Sequence, residues 1–298
     1  MLTEEQVGAL LSYKELIPAI RQALMDFSGG RVRQPLRNII PVPEYGGWFG
    51  VMPAVYGTVM GAKMVAFYPG NADLGKHTHM AMIQLFRADT GEPLVTMDGR
   101  LITEMRTAAV SAAATKLLAP RNAKVLAILG SGVQARSHVK ALRLVRKFEE
   151  VRVWSPTTAH SEKFAEEIGG KAMSPEAAVR DADVVVTVTN SKTSILRGAW
   201  LKPGCHVNAV GACRPDWREL DDEAMANVVF VDSRAAAIKE SGDIILSGTK
   251  IYAELGEALA GKVPSRANKT TIFKSLGMAV EDIAAALLVY RSSTKTKN

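Results

Sequence analysis

Cysteine is almost absent from this chain. Only Cys205 and Cys213 occur among 298 residues. They form no C-x-x-C, and no pair of histidines stands at ligand spacing, so neither a metal site nor a secreted disulfide framework is expected. Also lacking is an apolar run of the ~18–20 residues that would span a bilayer. The start, MLTEEQVGAL, is acidic and has no basic-then-apolar leader, so a soluble, cytoplasmic protein is expected. Internal repeats are missing, and the only basic cluster is the tail from Arg291, which reads as a solvated end. The net charge of +7 is otherwise scattered, so no nucleic-acid footprint is expected; small anionic ligands account for the surplus equally well. With 47% hydrophobic and 22% charged residues, the chain has ample material for a core.

What is present is concentrated between Lys124 and Leu142, KVLAILGSGVQARSHVKAL. An apolar run, Val125–Leu129, leads into Gly130, Gly132 and Ala135 at G-x-G-x-x-A spacing, and helix-compatible residues follow. Strand, tight turn and helix in that order are what a dinucleotide-binding loop requires. One glycine makes the turn, the second lets backbone approach a pyrophosphate, and the small third residue packs helix on strand. The helix N-terminus then offers unpaired N–H groups to the phosphates. The loop residues Gly130, Ser131, Gly132, Val133 and Gln134 are therefore candidates for cofactor binding.

The rest of the chain divides by rhythm. Thr3–Gln6 and Ser12–Glu15 both read as capping boxes, the second opening a helix with Leu16, Ile17, Ile20, Leu24 and Phe27 on one face and a stop at Gly29-Gly30. Strands are expected at Leu36–Pro41, Trp48–Met52, Ala62–Tyr68, Met80–Phe86 and Leu94–Met97, with a hairpin at Asp89-Thr-Gly91. An Ala-rich helix is expected over Thr107–Leu118. From there a βαβ alternation sets in: strands at Val125–Leu129, Val151–Trp154, Val184–Thr189, His206–Val210 and Val228–Val231, helices at about 133–146 and 158–168. A last helix, Leu276–Tyr290, is expected to leave this region and pack on the first. The fold class that follows is α/β: a Rossmann-type, doubly wound parallel-sheet domain over residues 119–274, and a mixed α+β substrate and dimerisation domain made of 1–118 with 275–298.

The strand Val151–Trp154 ends in Ser155-Pro-Thr-Thr158, with no acid to grip an adenine ribose. Ser155, Thr157 and His160, with Lys163 nearby, suit a 2′-phosphate that a carboxylate would repel, so NADP(H) is favoured, with NAD as the alternative.

Longer motifs point to a family. Arg106-Thr-Ala-Ala-Val-Ser111, the Gly130 loop, Asn208-Ala-Val-Gly-Ala-Cys-Arg-Pro-Asp-Trp-Arg-Glu-Leu220, Lys239-Glu-Ser-Gly-Asp243, Ala253-Glu-Leu-Gly256 and Phe273-Lys-Ser-Leu-Gly-Met-Ala-Val-Glu-Asp282 together resemble the ornithine cyclodeaminase/mu-crystallin family. The likeness runs from about residue 5 to about 290 and is closest to its mu-crystallin, ketimine-reductase, branch. The resemblance implies a homodimer, a nicotinamide nucleotide on the Rossmann domain, and a substrate whose carboxylate is held by basic residues matching Arg37, Lys63 and Arg106. His79 falls where the family tends to place a histidine. Thr107, Thr189, Val210, Cys213 and Leu276 join the candidates for holding the nucleotide.

Elementary chemistry fits these assignments. A guanidinium suits a planar carboxylate. Taken alone, each of the three cations would read as a surface charge and His79 as a structural histidine. Yet Lys63 falls within a strand whose alternation turns it to one face. Arg106 opens an Ala-rich helix on this reading, where a cation opposes the dipole and an anion nearby would compensate. Lys63, between two arginines, is expected to have a lowered pKa and to supply a proton.

One departure is informative. Ornithine cyclodeaminases carry an Asp that here is Cys213, as the mu-crystallin branch also lacks it. A neutral thiol does not replace a carboxylate as base or counter-charge. Asp216, Asp221 and Asp222 stand nearby and read as cap or turn residues. Reduction of a cyclic or N-substituted imino acid, such as Δ1-pyrroline-2-carboxylate or Δ1-piperideine-2-carboxylate, is therefore expected over deaminating cyclisation. The alternatives are an alanine-dehydrogenase-like amino-acid dehydrogenase, an ornithine cyclodeaminase, and a non-catalytic binder of NADPH or another small molecule.

Overall fold

A computed structural model describes residues 1–295 of the chain. It separates into two compact units: Met1–Arg106 together with the segment from Gly277 on, and Thr107–Leu276. The first division falls inside a helix, twelve residues earlier than the position 118/119 suggested by the sequence.

The first unit opens with α1 (Glu4–Leu10) and α2 (Tyr13–Ser28). Thr3 and Gln6 form the reciprocal cap expected at α1. The second expected capping box does not form. Ser12 Oγ donates to the Glu15 carboxylate at 3.1 Å, leaving the helix amides without a side-chain cap, so side-chain pairing outcompetes backbone capping here. Leu16, Ile20 and Leu24 are fully buried along one face of α2, each contributing ~1.5–3 kcal/mol of transfer energy. Strands β1 (Val32–Arg33), β2 (Asn38–Val42), β3 (Gly47–Tyr56), β4 (Val59–Phe67), β5 (His79–Arg87) and β6 (Pro93–Asp98) form a six-stranded antiparallel sheet. The Asp89–Gly91 hairpin joins β5 to β6, with Gly91 at positive φ.

Alternation sorts that sheet into two faces. Met52, Lys63, Ile83 and Met97 lie opposite one another across β3, β4, β5 and β6, all buried. The C-terminal helix (Ala279–Lys295) packs against β3, β4, β5 and α2. It starts later than expected because Gly277 holds φ +82, a left-handed conformation that no helix continues. It also runs on through Arg291–Lys295, so this part of the basic tail is helical; the remainder lies outside the described residues. On the opposite face, Ile40, Phe49, Ala66 and Met80 form a cross-strand row, with Ile40 51%, Phe49 37% and Met80 45% exposed.

Helix α3 spans Arg100–Leu118. It begins seven residues before the expected Thr107, because Arg100, Leu101 and Ile102 already wind into its first turn.

The second unit is a parallel sheet with strand order β13-β12-β14-β11-β10-β7-β8-β9. Its strands are β7 (Val125–Leu129), β8 (Glu150–Trp154), β9 (Lys171–Ala172), β10 (Val184–Thr187), β11 (His206–Ala209), β12 (Val228–Val231), β13 (Ile251–Glu254) and β14 (Thr271–Lys274). Among the helices, α4 (Val133–Leu142) and α5 (Thr158–Ile168) follow β7 and β8. Leu126, Ala127, Ile128 and Leu129 are all fully buried, as a central strand covered on both faces must be. The doubly wound parallel fold is the one expected. β9, β13 and β14 were not legible from periodicity: β9 has two residues, and β14 ends in a lysine. No described helix is long and apolar enough to cross a membrane.

Candidate active site

In the first unit the three basic residues singled out by the sequence converge. Lys63 sits on the inner face of β4, only 1% exposed. Its Nζ lies 2.7 Å from Oδ2 of Asp282. Arg106 Nε donates to Asp282 Oδ1 at 2.9 Å, and its Nη1 to Glu281 Oε2 at 2.8 Å. Arg37 Nη2 donates to the Gly277 carbonyl at 3.0 Å. Gly277 also lies flush against the Arg106 guanidinium, where a Cβ would collide with both Nη atoms. One glycine therefore brings two arginines together: its carbonyl holds Arg37, and its bare Cα admits Arg106.

Arg106 does not meet the N-terminal dipole of α3. Arg106 lies well inside α3 rather than at its start. Its compensation comes instead from Glu281 and Asp282, in the first turn of the C-terminal helix, where the dipole favours acids. Both carboxylates are fully buried. These two residues belong to a motif read in the sequence but given no role there. The available signal was a Glu-Asp pair set among Ala, Val and Ile at a helix start, where an exposed acidic turn would not be so flanked.

Lys63 and Arg106 thus share Asp282, Arg106 also pairs with Glu281, and Arg37 joins them through Gly277. His79, at the start of β5 on the same face as Lys63, adds no positive charge. Burial, reinforced by Lys63 and Arg106, lowers its pKa to about 3. Burial also lowers the Lys63 pKa to about 8, with Asp282 resisting and Arg106 assisting. Asp282 is held below the usual carboxylate range: Arg106 and Lys63 outweigh its own burial. Guanidinium groups suit a planar carboxylate, and the cluster carries an ammonium that can give up a proton near neutrality.

In the second unit the glycine loop follows β7, at the point where the strand order reverses, the usual crevice for a ligand in open α/β sheets. Gly130 has φ +131 and its N–H donates to Trp154 O at 2.8 Å. A Cβ there would stand 2.7 Å from the Val188 carbonyl. Gly132 is the N-cap of α4 and opens on free space, and the helix has no side-chain cap. Ala135 is fully buried under the helix. The uncapped amides and the uncovered Cα fit a pyrophosphate.

Ser131, Val133 and Gln134 stand around this turn. Ser131 Oγ donates to Ser155 Oγ at 3.0 Å, Val133 is exposed, and the Gln134 side-chain oxygen is buried without a partner. Arg136, which sequence reasoning passed over, donates to the Ser131 carbonyl at 2.6 Å and pairs with Glu167. Ser155, Thr157 and His160 lie beyond β8 at the start of α5, with Thr157 and His160 exposed. Thr189, Val210 and Cys213 follow β10 and β11, and Leu276 follows β14, all at the same carboxyl edge of the sheet. Leu276 is buried, its N–H donating to Asp232 Oδ2 at 2.6 Å. Thr107 is buried within α3, where the second unit begins. Cys213 is exposed and Cys205 buried, both as free thiols. Asp221 caps the short helix Asp222–Met225 through the Ala224 amide at 2.8 Å.

Comparison with known proteins places this arrangement. The model of the ornithine cyclodeaminase/mu-crystallin family matches residues 1–297. The mouse (Mus musculus) ketimine reductase mu-crystallin is 50% identical over 303 residues, 99% of this chain and 97% of that relative. Among solved structures, Thermococcus litoralis Δ1-pyrroline-2-carboxylate reductase in complex with NADH and L-proline matches with a TM-score of 0.94 at 34% identity, covering 99% of this chain and 98% of that one. An archaeal alanine dehydrogenase dimer with bound NAD matches with a TM-score of 0.93 at 32% identity, covering 100% and 96%.

Proposed function

We propose that this chain, which belongs to the ornithine cyclodeaminase/mu-crystallin family, is an NAD(P)H-dependent reductase that converts imino acids to L-amino acids. Its substrates on this reading are cyclic ketimines such as Δ1-pyrroline-2-carboxylate or Δ1-piperideine-2-carboxylate. The observation that carries the reading is the convergence of half-buried Arg37 with buried Lys63 and Arg106 around Gly277 and Asp282. The relatives' names add weight: a ketimine reductase, and a pyrroline-2-carboxylate reductase with bound NADH and L-proline.

Arg37 and Arg106 hold the substrate carboxylate, and Lys63 adds to that grip. Gly130, Ser131, Gly132 and the α4 amides hold the nucleotide pyrophosphate. Bound reduced nicotinamide supplies the hydride for the imine carbon. Lys63, with a pKa of about 8, supplies the proton that the nitrogen takes up. His79, neutral at working pH, offers a hydrogen bond without adding charge. Asp282 keeps the ammonium oriented and partly compensates its burial.

The test is a panel of imino acids with each reduced nucleotide, alongside pyruvate plus ammonia. Turnover of cyclic imines is expected. Turnover confined to pyruvate and ammonia favours an alanine dehydrogenase. Nucleotide binding with no oxidation by any imino acid favours a binding protein.

NADP(H) is the preferred nucleotide on this reading. Ser155 and Thr157, with His160 and Lys163 close in sequence, offer hydroxyls, an imidazole and an ammonium. Thr157→Asp is expected to lower kcat/KM for NADPH about tenfold, the equivalent of ~1.4 kcal/mol of like-charge repulsion, and to leave NADH within about twofold. Equal loss with both nucleotides would remove the preference.

A homodimer formed through the first unit's sheet is part of the same proposal. The uncovered row of Ile40, Phe49 and Met80 supports it, since a contiguous apolar sheet face marks an interaction surface.

Gly277→Ala tests the carboxylate grip. The added methyl meets both Nη atoms of Arg106, and φ +82 is strained for any L side chain. The imino-acid KM is expected to rise about tenfold or more with nucleotide affinity unchanged. An unaltered KM would detach Arg106 from substrate binding.

A further inference from the structure

The second unit buries a set of charges, Glu219, Asp243 and Lys274. Glu219 is fully buried in the segment after β11. One carboxylate oxygen accepts from the Thr189 amide at 2.7 Å and the Thr189 hydroxyl at 2.6 Å. The other accepts from the Thr187 hydroxyl at 2.6 Å and the Gly211 amide at 2.9 Å. Four donors converge on one side chain, and two of them are backbone amides just beyond the carboxyl ends of adjacent strands, β10 and β11.

Glu219 is itself held. Asp243 Oδ1 accepts from the Glu219 and Leu220 amides at 2.8 and 3.0 Å. The other oxygen of Asp243 pairs with Lys274 Nζ at 3.0 Å, both side chains being fully buried. Lys274 Nζ also donates to the Gly211 carbonyl. The Gly211 residue is thus gripped at its N–H by Glu219 and at its C=O by Lys274. The next residue, Ala212, is buried at φ +53, a conformation that costs a non-glycine residue energy and persists only where the surroundings impose it.

A buried ionic network is weak evidence for stability, because desolvation offsets its attraction. Its value lies in fixing one geometry. The turn it fixes, Val210–Cys213, and the residue it ties twice, Thr189, lie at the sheet edge assigned above to the nucleotide.

Resting on that assignment, we propose that Glu219, locked by Asp243 and Lys274, is a positioning residue that sets the β10 and β11 loop ends against which the nicotinamide lies. Four donors need a full complement of acceptor lone pairs. In Glu219→Gln one end becomes an NH2. Whichever way the amide turns, that end meets a backbone N–H, either of Thr189 or of Gly211, donor against donor.

The experiment measures NADPH affinity by fluorescence, steady-state kinetics, and the isotope effect with nucleotide deuterated at the transferred hydrogen. For Glu219→Gln, nucleotide affinity is expected to fall about tenfold. kcat is expected to fall by a similar factor as hydride transfer becomes slower, with the isotope effect on kcat rising. The imino-acid KM at saturating nucleotide should stay within about twofold. A purely structural role would lower melting temperature and active fraction but leave affinity and isotope effect at wild-type values, and that result overturns the proposal. Should Glu219→Gln fail to fold, Thr187→Val decides. It removes one of the four donors without orphaning an amide. A smaller shift in the same direction supports the proposal, and wild-type affinity and isotope effect overturn it. If the unmodified protein neither binds reduced nicotinamide nucleotide nor reduces imino acids, the functional reading itself falls, and this proposal with it. If it does both and only the variants are silent, this proposal alone falls.

Discussion

Lys63→Met is expected to cut imine-reduction kcat/KM by about 10²–10⁴-fold, the usual worth of a positioned proton donor, while NADPH binds as before. Methionine keeps most of the length and the apolar character of the lysine stem but supplies neither charge nor proton. Asp282 loses one partner but retains Arg106 at 2.9 Å, so its carboxylate remains compensated. Fluorescence titration and steady-state kinetics on one preparation separate the two effects. Unchanged turnover would refute the role given to Lys63.

The pH profile provides an independent reading of the same group. If the ammonium form is the active one, activity falls as pH rises through about 8. Unfolding does not explain such a fall. The folded value lies below the unfolded value of 10.5, so between about 8 and 10.5 the unfolded chain binds the extra proton. As regards Lys63, stability rises with pH across that window. Loss of activity and gain of stability over the same interval therefore carry opposite signs, and a thermal melt run beside the rate profile distinguishes them.

The second large effect is expected at Asp282. Asp282→Asn removes a carboxylate that touches both Lys63 and Arg106, leaving buried Lys63 without its carboxylate and Arg106 with Glu281 alone. Breaking a buried pair in this way costs ~3–5 kcal/mol, readable as a shift in urea midpoint. A second consequence is more specific. Asp282 raises the Lys63 pKa against the effect of burial. Without it the ammonium deprotonates more easily, and the alkaline limb of kcat/KM moves to lower pH. Destabilisation with an unmoved limb would mean that Asp282 supports the fold and does not tune the proton donor.

Much of this was readable from residue order because the forces involved are local. A strand–turn–helix with Gly130, Gly132 and Ala135 has few alternatives once a tight turn and a close helix are required. Period-two alternation was enough to set Lys63 on one face of its strand, and the structure shows that face to be the buried one. Errors arose where the sequence signal was weak or contested. Ser12 looked like a cap, yet its hydroxyl found Glu15. The Ala-rich stretch conceals a helix start at Arg100, so Arg106 belongs to the cluster through Glu281 and Asp282 and not through a helix N-terminus. β14 was missed because a fully buried lysine ends it.

By itself, then, the order of residues determined the parallel-sheet unit and its glycine loop, because periodicity, turn chemistry and motif spacing are properties of neighbours in the chain. The three cations were marked by the resemblance to a family. Only the tertiary structure decided what those cations face. Arg106 and Asp282 are separated by 176 positions, and no local rule pairs them. They meet because the C-terminal helix returns across the first sheet and Gly277 leaves room for a guanidinium. Burial then sets the charge states of the groups that meet. Removed from water, Lys63 loses much of its basicity and Asp282 stays ionised, and neither change is written in the residues one by one.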